Sequence, residues 1–90
     1  MRFDIRGKRW RLEVVDRLSE AAHGEIDPSD RPRKAIRIAR NQCPLDLLDT
    51  LIHESLHAAF PDMSEEAVNE AGTDIAKALY RLGCRATLPP

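Results

Sequence analysis

The sequence predicts an α+β fold: a three-stranded sheet, made of an N-terminal hairpin plus one strand, packed on an antiparallel pair of helices. Three observations predict it. Apolar and polar residues alternate over residues 3–14 and again over 34–40, the period of a half-buried strand. Apolar residues then recur at helical spacing from Pro44 to Phe60 and from Ser64 to Leu82. Only Pro61-Asp62-Met63 separates those segments, a link so short that the helices must be antiparallel neighbours.

In the hairpin, Phe3 and Ile5 alternate with Asp4 and Arg6, and Trp10, Leu12 and Val14 alternate with Arg9, Arg11 and Glu13. With Gly7-Lys8 as a two-residue type II′ loop, Ile5 faces Trp10 and Phe3 faces Leu12. On the other side Asp4 meets Arg11, and Arg6 meets Arg9. Leu18, Ala21 and Ala22 suggest a short helix over Asp16–Ala22, ended by Gly24, and the Pro- and Asp-rich run from Glu25 to Arg33 reads as a loop. Lys34 to Arg40 is the third strand, with Ile36 and Ile38 on one face and Ala35, Arg37 and Ala39 on the other. Its pairing direction is open.

Pro44 suits the first position of a helix because its missing N–H would have no partner there. The helix continues through Leu47, Leu48, Leu51, Ile52, Leu56 and Ala59 and stops before Pro61. Ser64 is the expected N-cap of the second helix, with Glu65 and Glu66 in its first turn, where the helix dipole favours negative charge. Ala67, Val68, Ala71, Ile75, Ala78, Leu79 and Leu82 form its apolar face, and Gly83 is placed to end it. Residues 1–83 therefore make the expected domain and 84–90 a flexible tail.

Composition narrows the class. Ninety residues give a core at the lower limit of what folds unaided, so a bound ion would help stability. No apolar run approaches the roughly 20 residues that cross a bilayer, and Met1 to Arg6 lack the apolar stretch of a secretory signal, so the expected compartment is the cytoplasm. Cys43 and Cys84 lack the number and spacing of a disulfide scaffold and read as free thiols. The net charge of −1 hides an uneven distribution: residues 1–40 hold 11 basic against 7 acidic side chains, and residues 41–90 hold 3 against 8. A basic first half suits either a solvated sheet face or contact with nucleic acid.

One stretch names a chemistry. His53-Glu54-Ser55-Leu56-His57 places two histidines four residues apart on a helix, within about 40° of one another and roughly 5–6 Å apart. Two imidazoles so placed suit a tetrahedral Zn²⁺, with Glu54 beside them to take a proton from water. A catalytic site needs a third protein ligand and an open position. Counted along the folded-back helices, Glu70 falls level with the space between His53 and His57, whereas Glu65 and Glu66 fall nearer the turn. Taking Glu70 as zero, the apolar stripe centres near 115° and Asp74 lies at about 40°, so both acids flank the stripe. Asp74 then suits a hydrogen bond to the free nitrogen of His53. The other reading of both acids is surface pairing with Lys77 or Arg81.

His53-Glu54-Ser55-Leu56-His57 followed by Asn69-Glu70-Ala71-Gly72-Thr73-Asp74 resembles the gluzincin metallopeptidases, whose pattern is His-Glu-x-x-His and then Asn-Glu-x-x-x-Asp on a second helix. The short chain, with Thr50 to Ala58, is also similar to small phage and bacterial proteins with minimal zincin domains, like the cores of the SprT-like and ImmA/IrrE-like groups. The resemblance covers residues 44–83. It implies His53, His57 and Glu70 as zinc ligands, Glu54 as general base and Asp74 as the partner of His53. The spacing from His57 to Glu70 is shorter than in most gluzincins, and the following subdomain that builds their substrate pockets is missing from this sequence.

The expected function is thus a zinc-dependent metallopeptidase acting on a peptide or protein, with an extended substrate laid along a sheet edge. Tyr80 projects about 280° from Glu70, which makes it a surface residue rather than an oxyanion donor. His23 stands in a loop, either solvated or turned toward the cleft. Two rivals from other classes are a zinc-stabilised binding module without hydrolysis and a nucleic-acid-associated role for the basic half. No membrane partner is expected.

Overall fold

The computed structural model describes residues 1–18 and 22–89. Its first turn is set at Arg6-Gly7, where both residues have positive φ, 49° and 77°. Those are the signs of a type I′ turn, whose twist matches the flanking strands. The hairpin of β1 (Arg2–Ile5) and β2 (Lys8–Val15) consequently pairs Phe3 with Trp10, Asp4 with Arg9 and Ile5 with Lys8. The expected loop, Gly7-Lys8, is one residue too late. A glycine second in the loop serves the turn as well as a glycine first, and the observed register sets Asp4 against Arg9, 3.6 Å apart, instead of Arg6 against Arg9. The faces are unchanged, because the two registers differ by an even number of residues.

The sheet has four strands, not three: β3 (Gly24–Ile26) and β4 (Ala35–Ala39) complete the order β1-β2-β4-β3. β2 and β4 run parallel, while β3 pairs antiparallel with β4, so the sheet is mixed. β3 escaped the sequence reading because three residues that include a glycine and an exposed glutamate carry no alternation; pairing with β4 makes them a strand. The expected helix over Asp16–Ala22 is not formed at Asp16–Leu18, and residues 19–21 lie outside the described residues.

β4 is an inner strand, flanked by β2 and β3, and Ala35, Ile36, Ile38 and Ala39 are all buried. Ile36 and Ile38 join Trp10 and Ala58 in the core, with Phe3, Ile5, Leu12, Ile26, Leu47 and Leu51 packed around them. Trp10 is fully buried, and its indole N–H has no hydrogen-bond acceptor among the described residues. On the opposite side of the sheet Arg37 bonds Asp27 through both guanidinium arms at 2.9 and 3.2 Å. That guanidinium holds the Asp27 carboxyl below its ordinary pKa, and the Ala35 amide donates to the same carboxylate at 3.0 Å.

Both helices stand as expected. α1 (Pro44–Ala59) begins with Pro44, and α2 (Glu65–Arg81) is capped by Ser64, whose hydroxyl accepts from the Ala67 amide at 3.1 Å. Gly83, at φ 92°, ends α2: its amide bonds the Tyr80 carbonyl, and the Cys84 amide bonds that of Leu79, the paired bonds of a Schellman motif. Arg6 ties the hairpin tip to the end of α1, donating to the Ala59 carbonyl at 2.8 Å with its guanidinium 5.2 Å from the Phe60 ring centre. The cation meets the negative end of the helix dipole. Among the described residues no helix is long and apolar enough to cross a membrane.

Candidate metal centre

α1 lays one face on the sheet and turns its edge toward α2 and β3, and His53 and His57 emerge on that edge. Their ring centres are 4.8 Å apart, and the Nε2 atoms face one another at 3.2 Å. Glu65, the first residue of α2, brings one carboxylate oxygen to 3.0 Å from His53 Nε2 and the other to 2.8 Å from His57 Nε2. These three side chains form a group able to hold a metal ion.

The third acid differs from the sequence expectation. Glu70 and Asp74 are exposed and do not line the cleft that holds the histidines. The reason is angular. α2 packs on α1 through Val68, Gly72 and Ala76, a stripe that lies about 160–240° from Glu70. An ideal Cβ at Gly72 would sit only 3.6 Å from His53 Cα, so the backbones meet there. Glu65 lies at about 220°, in line with that stripe, and Glu70 lies behind it. Small residues mark the contact: the expected stripe near 115° included Ile75 and Leu82, which are exposed, and omitted Gly72 and Ala76, which are buried.

Glu54 stands on the sheet side of the histidines and is 5% exposed. Its carboxylate comes within 3.9 Å of His53 Nε2, beyond the reach of a shared hydrogen bond. Burial raises its pKa above the ordinary glutamate value, and the nearby imidazoles oppose that rise. β3 closes the other wall. Gly24 presses on α1 so closely that a Cβ would lie 2.7 Å from Thr50 Cγ2 and 3.1 Å from Glu54 Cγ. Thr50 donates to Gln42 Oε1 at 2.7 Å, and the Gln42 amide donates to the carbonyls of Ala39 and His23 at 2.7 and 3.2 Å. The start of β3 is thereby pinned to α1.

The resulting cleft, of about 560 Å³, is also lined by His23, Asp49, Asn69 and Thr73. Asp49, one turn before His53, accepts from the Thr73 hydroxyl at 3.2 Å and bridges the helices. A smaller cavity of about 290 Å³ adjoins through His57 and is walled by Trp10, Ile26, Pro28 and Pro61. Tyr80 lies outside the cleft, with the Arg85 guanidinium stacked 3.6 Å from its ring centre.

Tetrahedral zinc with bonds of about 2.0–2.1 Å spaces its ligand atoms roughly 3.3–3.4 Å apart. The two Nε2 atoms, 3.2 Å apart, match that spacing, and the Glu65 carboxylate lies across both rings, with a different oxygen nearest each nitrogen, at 3.0 and 2.8 Å. Two neutral imidazoles and one carboxylate are the ligand types of a catalytic zinc site, which keeps its fourth position open. Compared with family models, curated proteins and solved structures, the chain has no match.

Proposed function

We propose that this protein is a zinc-dependent metallopeptidase in which His53, His57 and Glu65 hold the ion and Glu54 is the general base. The observation that carries the reading is the convergence of both Nε2 atoms and the Glu65 carboxylate within 4.8 Å beside a buried glutamate. Zn²⁺ held by His53, His57 and Glu65 would supply Lewis acidity, which lowers the pKa of a water toward about 7 and polarises a carbonyl. Glu54, buried with its carboxylate 3.9 Å from His53 Nε2, is placed to accept a proton from water beside the ion and to pass it to the leaving amine. The raised pKa of Glu54, caused by its burial, favours holding a proton once taken and so suits a group that must carry it to the leaving amine. β3 is an edge strand beside the cleft, so an extended peptide can add to it by main-chain hydrogen bonds. A substrate side chain would enter the adjoining cavity beside Trp10 and His57.

The test is metal content and hydrolysis measured together. Wild type and Glu70→Ala should each bind about one equivalent of zinc, while His53→Ala and Glu65→Ala should lose it. Glu54→Gln should keep the ion and lose hydrolysis of an unstructured protein substrate by at least about a hundredfold. Zinc retained by Glu65→Ala but lost by Glu70→Ala would refute the assignment of the third ligand. Full hydrolysis by Glu54→Gln would refute the mechanism. Zinc bound by wild type with no hydrolysis of any peptide would leave a metal-stabilised binding module.

A further inference from the structure

On the outer side of the hairpin, away from the helices, Arg2, Arg9, Arg11, Pro32, Arg33 and Lys34 surround a groove of about 380 Å³. Five of the six are cationic, and no acidic residue lines it. We propose that this groove binds the phosphodiester backbone of double-stranded nucleic acid.

The first argument is strand register. Arg2 and Arg11 are direct partners across β1 and β2, and like charges in that relation cost stability. Two residues along, the same ladder sets Asp4 against Arg9, the ordinary solution. Holding two guanidinium groups side by side is useful when an external anion lies between them.

The second argument is incomplete neutralisation. Arg9 meets Asp4 at 3.6 Å and Arg11 meets Glu13 at 3.4 Å, both in exposed pairs that water screens. Among the described residues, Arg2, Arg33 and Lys34 have no carboxylate within ion-pair distance. The walls are also fixed to one another, because the Arg11 amide bonds the Lys34 carbonyl at 3.0 Å.

The chemistry selects the partner. Guanidinium forks pair with phosphate oxygens through two hydrogen bonds. A duplex presents one charge per about 1.7 Å of axis, whereas an extended acidic peptide offers at most one per roughly 3.3 Å, so five clustered cations match the duplex better. A single-strand site would need exposed aromatic faces for stacking. None lines this groove, and Trp10 behind it is fully buried. Binding would therefore be indifferent to base sequence. The groove lies toward the β1 side of the sheet, and the metal centre lies beside β3, the opposite edge, on the helix face. The proposal is thus independent of the peptidase reading.

The test is fluorescence anisotropy of a labelled duplex of about 20 base pairs titrated with the full chain from about 50 mM salt upward. Binding should weaken linearly in log–log form, with a slope near −3 for three to four neutralised phosphates. Arg2→Gln, Arg11→Gln and Arg33→Gln should each reduce the slope by about one, and the triple variant should bind at least about tenfold more weakly. Arg11→Lys should keep the slope, and Lys77→Gln on α2 should change nothing. Because Arg2→Gln relieves a repulsion, its thermal midpoint should not fall, which separates lost binding from lost folding. Absence of duplex binding at the lowest salt, undiminished binding by the triple variant, or tighter groove-dependent binding of polyglutamate than of duplex would each overturn the proposal.

Discussion

At the scale of single residues, Glu54 is a carboxyl whose burial opposes its own charge. Burial raises its folded-state pKa above the unfolded value near 4.5, so folding resists its ionisation. The stabilising contribution of the neutral carboxyl is fully present below the unfolded pKa and is lost as pH rises through the folded one. In metal-free protein, Glu54→Gln should therefore be more stable than wild type at neutral pH, with the difference vanishing below about pH 4. Thermal melts in chelator across that range measure it. Equal pH profiles for the two proteins would show that burial does not strain this side chain. The meeting of His53 and His57, with Glu54 beside them, was legible in sequence because a helix converts a four-residue interval into a spatial one. The approach of Glu65 to them was not, since it depends on which angular sector of α2 meets α1. That sector is marked by Gly72 and Ala76, which leave almost no trace in a hydrophobic stripe.

Between elements, the contact of β3 with α1 sets the width of the cleft. At Gly24 an added methyl would meet Thr50 and Glu54, and neither can yield: Thr50 is held by Gln42, and Glu54 is packed in place. Gly24→Ala should cost about 1–3 kcal/mol, the usual range for overpacking. Gly72→Ala is the contrasting case, since its nearest neighbours would lie 3.6 Å away in ordinary contact. There the gain in helix propensity should leave stability unchanged or raise it by up to about 1 kcal/mol. Denaturant unfolding of the two variants decides the matter, and equal destabilisation would mean that β3 does not bear on α1 as closely as described. Long, periodic elements such as α1, α2 and β2 were read from the chain alone because each repeats its own signal. β3 has no such signal; its identity is conferred by the neighbour it pairs with, as was the parallel direction of β4.

For the molecule as a whole, 90 residues with a core built around Trp10, Ile36 and Ile38 leave a narrow margin of stability. A ligand that binds only the folded form adds RT ln(1 + [L]/Kd), about 2.7 kcal/mol at a free concentration one hundred times Kd. For a domain of this size each kcal/mol is worth about 4–8 °C, so zinc should raise the melting temperature by roughly 10–20 °C and chelator should reverse it. No shift on adding zinc would show that the histidines and Glu65 do not hold the ion in the native state. The same ion would clamp α1 to the first turn of α2, at the end where only residues 60–64 connect them.

Trp10 is the sole tryptophan of the chain, sealed from water with its indole N–H unanswered among the described residues, yet it borders the cavity that opens beside His57 and carries the Lys34 ammonium 5.5 Å from its ring. Its emission is therefore a built-in optical gauge placed between the two surfaces assigned here. A blue-shifted band reports an intact interior, and changes in intensity on adding metal or duplex would be read from one chromophore, with no label attached.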